Sequence, residues 1–335
     1  MDFKGKDFLR ILDFSEEELR YMLDVAKKFK EMKHKHQNHK YFPDKNIAIL
    51  FEKTSTRTRC SFEVAAYDLG MGVTYLDPTG SQMGHKESIA DTARVLAKIY
   101  DGIEYRGFGQ EIVDDLAKYA DVPVWNGLTN EAHPTQALAD FMTIEERLGG
   151  LKGKTLAFVG DTHNNVANSL MVMSVKMGVN FISCGPLALK PSDELIDKCR
   201  PIAEKNDCSI TVTDDISALN GTADAIYTDV WLSMGEDKEK WGERIEQLKP
   251  YQVTMDMMNK AKPDTIFLHC LPSFHDLNTS VARDVHEKFG LSEMEVTNEV
   301  FESERSAVFD EAENRMHTIK TVMYLTLLDN NKGGK

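Results

Sequence analysis

Residues Phe51-Glu52-Lys53-Thr54-Ser55-Thr56-Arg57-Thr58-Arg59 place four hydroxyls and two guanidiniums in one short stretch. The apolar run Asn46-Ile47-Ala48-Ile49-Leu50-Phe51 precedes it and has the character of a buried strand. Phe62, Ala65, Ala66 and Leu69 follow at helical spacing before Gly70. The polar cluster is therefore the strand-to-helix turn. Free N–H groups at a helix start, the positive end of its dipole and the planar Arg fork all favour a dianion there. One Ser or Thr at such a turn would be explained as a helix cap. Five consecutive side chains able to hold an anion, Ser55 to Arg59, instead read as a phosphate cradle.

The elements that must position this cradle alternate along the chain. Ser15 with Glu18 three residues on forms a capping box that opens a first helix through Leu19, Met22, Leu23, Ala26 and Phe29. Strands are predicted near 46–51, 73–76, 102–105 and 122–125. Gly149, Gly150 and Gly153 with Lys152 then break the pattern. Alternation resumes with strands at 155–159, 181–184, 209–213, 225–228 and 265–269, and a last long helix covers about 310–328. This is the pattern of an α/β chain with two domains, each a parallel sheet flanked by helices. The predicted division is 1–150, joined by the C-terminal helix at about 310–330, and 151–309. The tail from Asp329 to Lys335 is expected to fray.

Length and composition bound the function. A chain of 335 residues with 41% hydrophobic content can bury a large core and suggests two domains. A formal charge of −14 argues against nucleic acid as a partner, so Ser55 to Arg59 would form a local positive pocket suited to a small anion. No stretch approaches the roughly 20 apolar residues of a membrane helix, and Met1 to Asp7 lacks a signal-peptide profile, so a cytoplasmic protein without membrane partners is expected. The cysteines, Cys60, Cys184, Cys199, Cys208 and Cys270, are odd in number and include no pair at two-residue spacing. Neither a disulfide framework nor a zinc ribbon is expected.

Ligands of open parallel sheets bind outside the carboxyl ends of the strands. Arg106 follows Gly102-Ile103-Glu104-Tyr105, and His133-Pro134-Thr135-Gln136 comes shortly after Val122-Pro123-Val124-Trp125. Gly160 to Asn165, Asp229 to Gly235 and His269-Cys270-Leu271-Pro272 close strands of the second half. Each has a structural explanation by itself. Pro134 suits a first helical position after His133, Asn165 could cap its helix, Asp229 could make a turn and Cys270 could be a small core residue.

Together these segments resemble the ornithine carbamoyltransferases of the aspartate and ornithine carbamoyltransferase superfamily, over nearly the whole chain. The resemblance runs through Phe51 to Glu63, Ser81 to Arg106, His133 to Asp140, Asp161 to Ser169, Asp229 to Glu236, His269 to Pro272 and Glu313 to Lys320. The phosphate motif and His133 to Gln136 are shared across the superfamily and imply carbamoyl phosphate as a substrate. Ser233-Met234-Gly235 and His269-Cys270-Leu271-Pro272 look like the ornithine branch, whereas aspartate enzymes typically lack that cysteine. Asp77 to Gln82 is similar to catabolic members.

The resemblance implies transfer of the carbamoyl group to the δ-amine of L-ornithine, giving citrulline and phosphate with neither a redox cofactor nor a metal. It assigns carbamoyl phosphate to Ser55, Thr56, Arg57, Thr58, Gln82, Arg106, His133, Pro134, Thr135, Gln136, Cys270, Leu271 and Arg315, with Gln82 reaching in from a neighbouring subunit of a trimer or multiple of trimers. Ornithine falls to Asn165, Asp229, Ser233 and Met234. Arg106, His133 and Cys270 are the implied catalytic residues, with Cys270 positioning the amine rather than forming an acyl-enzyme. Domain closure after carbamoyl phosphate binds is the implied conformational step.

Rival readings have less support. Gly160-Asp161-Thr162-His163-Asn164-Asn165 lacks the spaced glycines of a nicotinamide-binding turn. A binding protein on the same scaffold could do without Arg106, His133 and Cys270, and a transferase for putrescine would not need partners for an α-amine and carboxylate. His34, His36 and His39 among Lys33, Lys35 and Lys40 read as a solvated face, although an oligomer axis could gather copies around a metal. Met171, Met173 and Met177 read as core filler.

Overall fold

The alternating pattern resolves into two parallel sheets flanked by helices. The computed structural model describes residues 1–77, 83, 86–232 and 236–328, and the chain divides into two units, Met1–Met142 with Glu313–Lys335, and Thr143–Ala312. Among the described residues no helix is long and apolar enough to cross a membrane.

The first unit runs α1 (Glu16–His34), β1 (Asn46–Phe51), α2 (Arg57–Leu69), β2 (Gly72–Leu76), α3 (Ile89–Ile99), β3 (Gly102–Arg106), α4 (Gln110–Tyr119) and β4 (Val124–Leu128), then enters α5 (Pro134–Leu148). Its strands pair in the order β2-β1-β3-β4, all parallel. Ser15 caps α1 with the reciprocal bonds to Glu18 that the sequence predicts. Leu50, Ile103, Tyr105 and Val124 from the sheet pack with Ala93, Leu96, Val113 and Leu116 from α3 and α4. β4 begins later than the apolar run at 122–125 suggests. Pro123 has no N–H to give the ladder, and its carbonyl accepts from Ile103 before pairing continues through Val124, Trp125 and Asn126. The ladder slips between Tyr105, opposite Asn126, and Arg106, opposite Leu128.

The second unit contains β5 (Thr155–Val159), α6 (Asn165–Lys176), β6 (Asn180–Cys184), α7 (Asp193–Lys205), β7 (Ile210–Thr213), β8 (Ala225–Tyr227), α8 (Trp241–Leu248), α9 (Met255–Lys260), β9 (Ile266–Leu268), α10 (Ser280–Phe289) and α11 (Asn298–Phe301). It continues into α12 (Val308–Leu327). The sheet order is β7-β6-β5-β8-β9, again parallel. Gly185 has no room for a side chain, since a Cβ there would lie 2.0 Å from the Gly160 carbonyl oxygen. The carboxyl ends of β5 and β6 can therefore converge at that point. Met171 and Met173 lie in the core, as their setting on α6 predicts.

From Glu313 onward α12 belongs to the first unit. Trp125 Nε1 donates to Thr326 Oγ1 at 3.0 Å, and Lys320, fully buried, reaches Asp68 Oδ2 at 2.5 Å. Lys33 Nζ shares that oxygen at 2.6 Å, and Lys320 also lies 3.1 Å from His39 Nε2. Burial alone would raise the Asp68 carboxyl, but the two ammonium groups outweigh it and hold it below its ordinary value. Burial depresses Lys320 despite the same pair. The buried lysine bears the desolvation, and the more exposed aspartate gains the field. This network also corrects the solvated-face reading at His39, whereas His34 is exposed as that reading expects. His39 is buried with Nδ1 2.7 Å from the Gln37 carbonyl, while His36 is exposed.

Asp68→Asn should leave the Lys320 ammonium without its counter-charge and lower unfolding stability by about 3 to 5 kcal/mol in denaturant titrations. Asp68→Asn with Lys320→Met should recover most of the loss. Because the Asp68 pKa is lowered in the fold, its contribution is full above the ordinary carboxylate range and disappears as pH falls through the lowered value. A single-variant loss no larger than that of an exposed ion pair would contradict this account.

Candidate active site

In the first unit, β1 and β3 place Phe51 opposite Arg106, so the turn after β1 and the end of β3 are neighbours. Ser55 Oγ accepts from the Thr58 backbone N–H at 3.2 Å and caps the first turn of α2. The Thr58 side chain is fully buried. Its Oγ1 accepts from Arg106 Nη1 at 3.0 Å and from Arg315 Nη2, on α12, at 2.6 Å. Both lone pairs are then occupied, and the hydroxyl hydrogen remains to donate. Thr56 is exposed and Arg57 half-buried at the same turn. Arg59 departs from the cradle expected of Ser55 to Arg59. It donates to Glu63 at 3.0 Å and stacks on the Tyr75 ring with its guanidinium carbon 3.7 Å from the centroid.

His133 is buried just before Pro134, the first residue of α5. Its backbone carbonyl accepts from the Gln136 and Ala137 N–H groups. Burial, followed by the positive fields of Arg315, Arg106 and Arg57, pushes the imidazole well below its usual pKa, so it is neutral near pH 7. Thr135 and Gln136 are buried beside it, and Gln136 Nε2 donates to Asp140 Oδ1 at 2.8 Å.

Glu104, two residues before Arg106 on β3, was not singled out in the sequence. It is fully buried, and neither carboxyl oxygen has a hydrogen-bond partner among the described residues. A Cβ on Gly127 would come within 1.9 Å of Glu104 Oε1, so only glycine at this β4 position leaves space for the carboxyl. Burial pushes Glu104 well above the carboxylate range against the opposing pull of Arg106 and Arg315. An acidic residue in an otherwise apolar strand, in alternation with Arg106, was the available signal.

In the second unit, Asp229 follows β8 and Cys270 follows β9. Cys270 Sγ is placed to donate to Asp229 Oδ1 at 3.4 Å, and the Val230 N–H donates to the same oxygen at 2.8 Å. Burial raises the Asp229 carboxyl above its usual value, against the pull of His269. The cap of α6 is Asn164 rather than Asn165. Its side chain accepts from the Ala167 N–H at 2.8 Å and its Nδ2 lies 3.4 Å from Asp229 Oδ2. Asn165 is instead the first residue of the helix.

A carboxylate organises the segment around Cys270. Glu295 Oε1 accepts from the Phe274 N–H at 2.6 Å and Ser273 Oγ at 2.9 Å, and lies 3.3 Å from His269 Nε2. His269 Nδ1 accepts from the Leu271 N–H at 2.9 Å, which puts the ring proton on Nε2, facing Glu295. Burial would lower the His269 pKa, but the Glu295 carboxylate outweighs it and raises it. Glu295 is held below its usual value by the same pair and the backbone donors. This support holds Leu271 at φ +58, an uncommon conformation for a branched side chain, ahead of a cis peptide to Pro272. Arg244 adds a second brace, 3.0 Å from Asp161 and 3.3 Å from Glu236. Glu295 and Arg244 were not read from the sequence, because neither sits in a recognisable motif. Gln82, Ser233 and Met234 lie outside the described residues.

Residues 6–146 match the family model for the carbamoyl-P binding domain of aspartate/ornithine carbamoyltransferase, and residues 152–326 match its Asp/Orn binding domain. The chain is 60% identical over 326 residues to a catabolic ornithine carbamoyltransferase of Treponema denticola, covering 97% of this chain and 96% of that protein. It is 56% identical to catabolic ornithine carbamoyltransferase 1 of Staphylococcus epidermidis, covering 97% and 99%. Among solved structures, the ornithine carbamoyltransferase of Pyrococcus furiosus superposes with a TM-score of 0.89 at 40% identity and 98% coverage of both chains. The anabolic enzyme of Campylobacter jejuni gives 0.84 at 31% identity, covering 96% of this chain and 98% of that one. With both family domains matched in order and relatives this similar over nearly the full length, the chain belongs to the aspartate/ornithine carbamoyltransferase family.

Proposed function

We infer that the chain is an ornithine carbamoyltransferase that forms citrulline and phosphate from carbamoyl phosphate and L-ornithine. The observation that carries this reading is the convergence of Arg106 and Arg315 on Thr58 Oγ1 beside a buried, neutral His133. This arrangement suits a dianion carrying a carbonyl. In the proposed assignment Ser55, Thr56, Arg57 and Thr58 clamp the phosphate, with Arg315 and with Gln82 from a neighbouring subunit. Arg106 and His133 address the carbonyl oxygen, while Pro134, Thr135, Gln136 and the Cys270 and Leu271 backbone complete the carbamoyl phosphate contacts. Negative charge growing on the carbonyl oxygen during attack is met by donors already in place, an effect of about 3 to 4 kcal/mol per good donor. A neutral imidazole polarises the oxygen without surrendering a proton to it.

The amine must attack in its neutral form. For an alkyl ammonium with a pKa near 10.4, deprotonation at pH 7 costs about 4 to 5 kcal/mol. Asp229, with Asn165, Ser233 and Met234, is proposed to hold the amino acid end of ornithine. Cys270, 3.4 Å from Asp229, is proposed to position the δ-amine. The upward shift of the Glu104 carboxyl supports the same design, since it weakens the competition with a ligand for the arginine charges. We further propose cytoplasmic trimers or multiples of trimers. The catabolic names of the T. denticola and S. epidermidis relatives favour operation in the degradative direction.

Three measurements test these assignments. With carbamoyl phosphate held constant, ornithine should be carbamoylated far faster than putrescine or aspartate; a preference for either competitor would overturn the ornithine assignment. His133→Ala should lower kcat by roughly 100- to 1000-fold while carbamoyl phosphate binding weakens much less, and an equal loss in both would make His133 only a binding residue. For Glu104, a pKa raised in the fold means its stability contribution is full below the unfolded value and is lost as pH rises toward the folded one. Glu104→Gln should therefore melt close to the parent at pH 5 and above it at pH 8. A constant offset across pH would show that Glu104 does not titrate.

A further inference from the structure

His34 lies in the last turn of α1, and Glu313 and His317 lie four residues apart on α12, within the first unit. His34 Nε2 is 2.6 Å from Glu313 Oε1, and His317 Nε2 is 3.3 Å from the same oxygen. One ligand atom from each residue lies within 4.8 Å of the others, and the two imidazole rings meet edge to face with centroids 6.2 Å apart. We propose that His34, Glu313 and His317 form a site for a divalent transition-metal ion, zinc by the character of its donors, that clips the end of α1 to α12. Two imidazole nitrogens and one carboxylate form a recognised zinc ligand set that leaves a further position for water.

Two features favour an ion over a simple hydrogen-bonded triad. First, the donors stand on two helices that are joined on either side of the cluster. Lys30 on α1 donates to Asn314 at 2.8 Å, and Lys33 on α1 and Lys320 on α12 share Asp68, so the helices are tied together around the cluster. Second, His34 is exposed while His317 is buried, giving the ion a path from solvent to an internal ligand. Lys30 and Lys320 bring positive charge nearby, but Lys320 is neutralised by Asp68 and Lys30 is directed at Asn314. His317 Nδ1 has no hydrogen-bond partner among the described residues, so outer support for the ligand is lacking and moderate affinity is expected. The other close grouping of donors, Asp229, His269 and Cys270, already forms part of the candidate active site. Its Asp229 Oδ1 and His269 Nδ1 are committed to backbone N–H groups.

The test uses the full chain carrying Cys270→Ser, which removes the thiol ligand of that second cluster. After chelator treatment it is titrated with zinc by calorimetry and with cobalt(II) by visible absorption. One ion per chain is expected, with a rise in Tm because only the folded chain presents all three donors. His34→Gln, a surface change that leaves the core intact, and Glu313→Gln should each weaken binding by more than about 100-fold, since loss of even an outer-shell partner costs about 10- to 100-fold. Both should abolish the rise in Tm. Absence of zinc binding, or equal affinity in the parent and both variants, would overturn the proposal.

Discussion

Two guanidiniums that end on one hydroxyl are the constraint around which the first unit is arranged. Arg106 and Arg315 repel one another, yet both donate to Thr58 Oγ1 inside the protein. They reach it from β3 and α12, elements distant in sequence that are positioned by contacts elsewhere in the unit. The parallel register of β1 with β3 brings the turn beside Arg106, and the buried Lys320 and Trp125 contacts fix α12. His133 responds to the same field. Burial and the three arginines keep it neutral, so it acts as a hydrogen-bonding group rather than a cation. Burial strengthens these positive fields at the imidazole relative to their strength in water.

Two buried glutamates show how local donors decide the state of a carboxyl. Glu295 receives the Phe274 N–H and the Ser273 hydroxyl and faces His269, so it is held ionised and organises the segment that carries Cys270. Glu104 has arginines in its neighbourhood but no hydrogen-bond donor among the described residues, and burial prevails. Charge at a distance does not replace a hydrogen bond when desolvation is complete. The first carboxylate supports geometry, while the second is pushed well above the carboxylate range by its burial.

Much of the site was legible because its chemistry is concentrated in short segments. Ser55 to Thr58, His133 to Gln136 and His269 to Pro272 each follow a strand, and strand ends can be read from apolar runs. The readings that needed correction concern side chains whose direction is set by packing. Arg59 sits in the motif but turns to Glu63 and Tyr75, because on α2 it points away from the cluster. Asn164 rather than Asn165 caps α6, since only its side chain reaches the Ala167 N–H. β4 starts later than its apolar run because Pro123 cannot donate.

By itself the sequence determined the α/β class, the order of strands and helices and the polar segments at strand ends, because these depend on local periodicity and residue type. Tertiary structure alone decided which distant groups meet. The approach of Arg315 to Thr58, the space for Glu104 beside Gly127, the link from Glu295 to His269 and the grouping of His34 with Glu313 and His317 all join residues from separate elements. Their partners are set by sheet register and helix packing, which arise from the summed burial of many side chains and are not recorded at any one position.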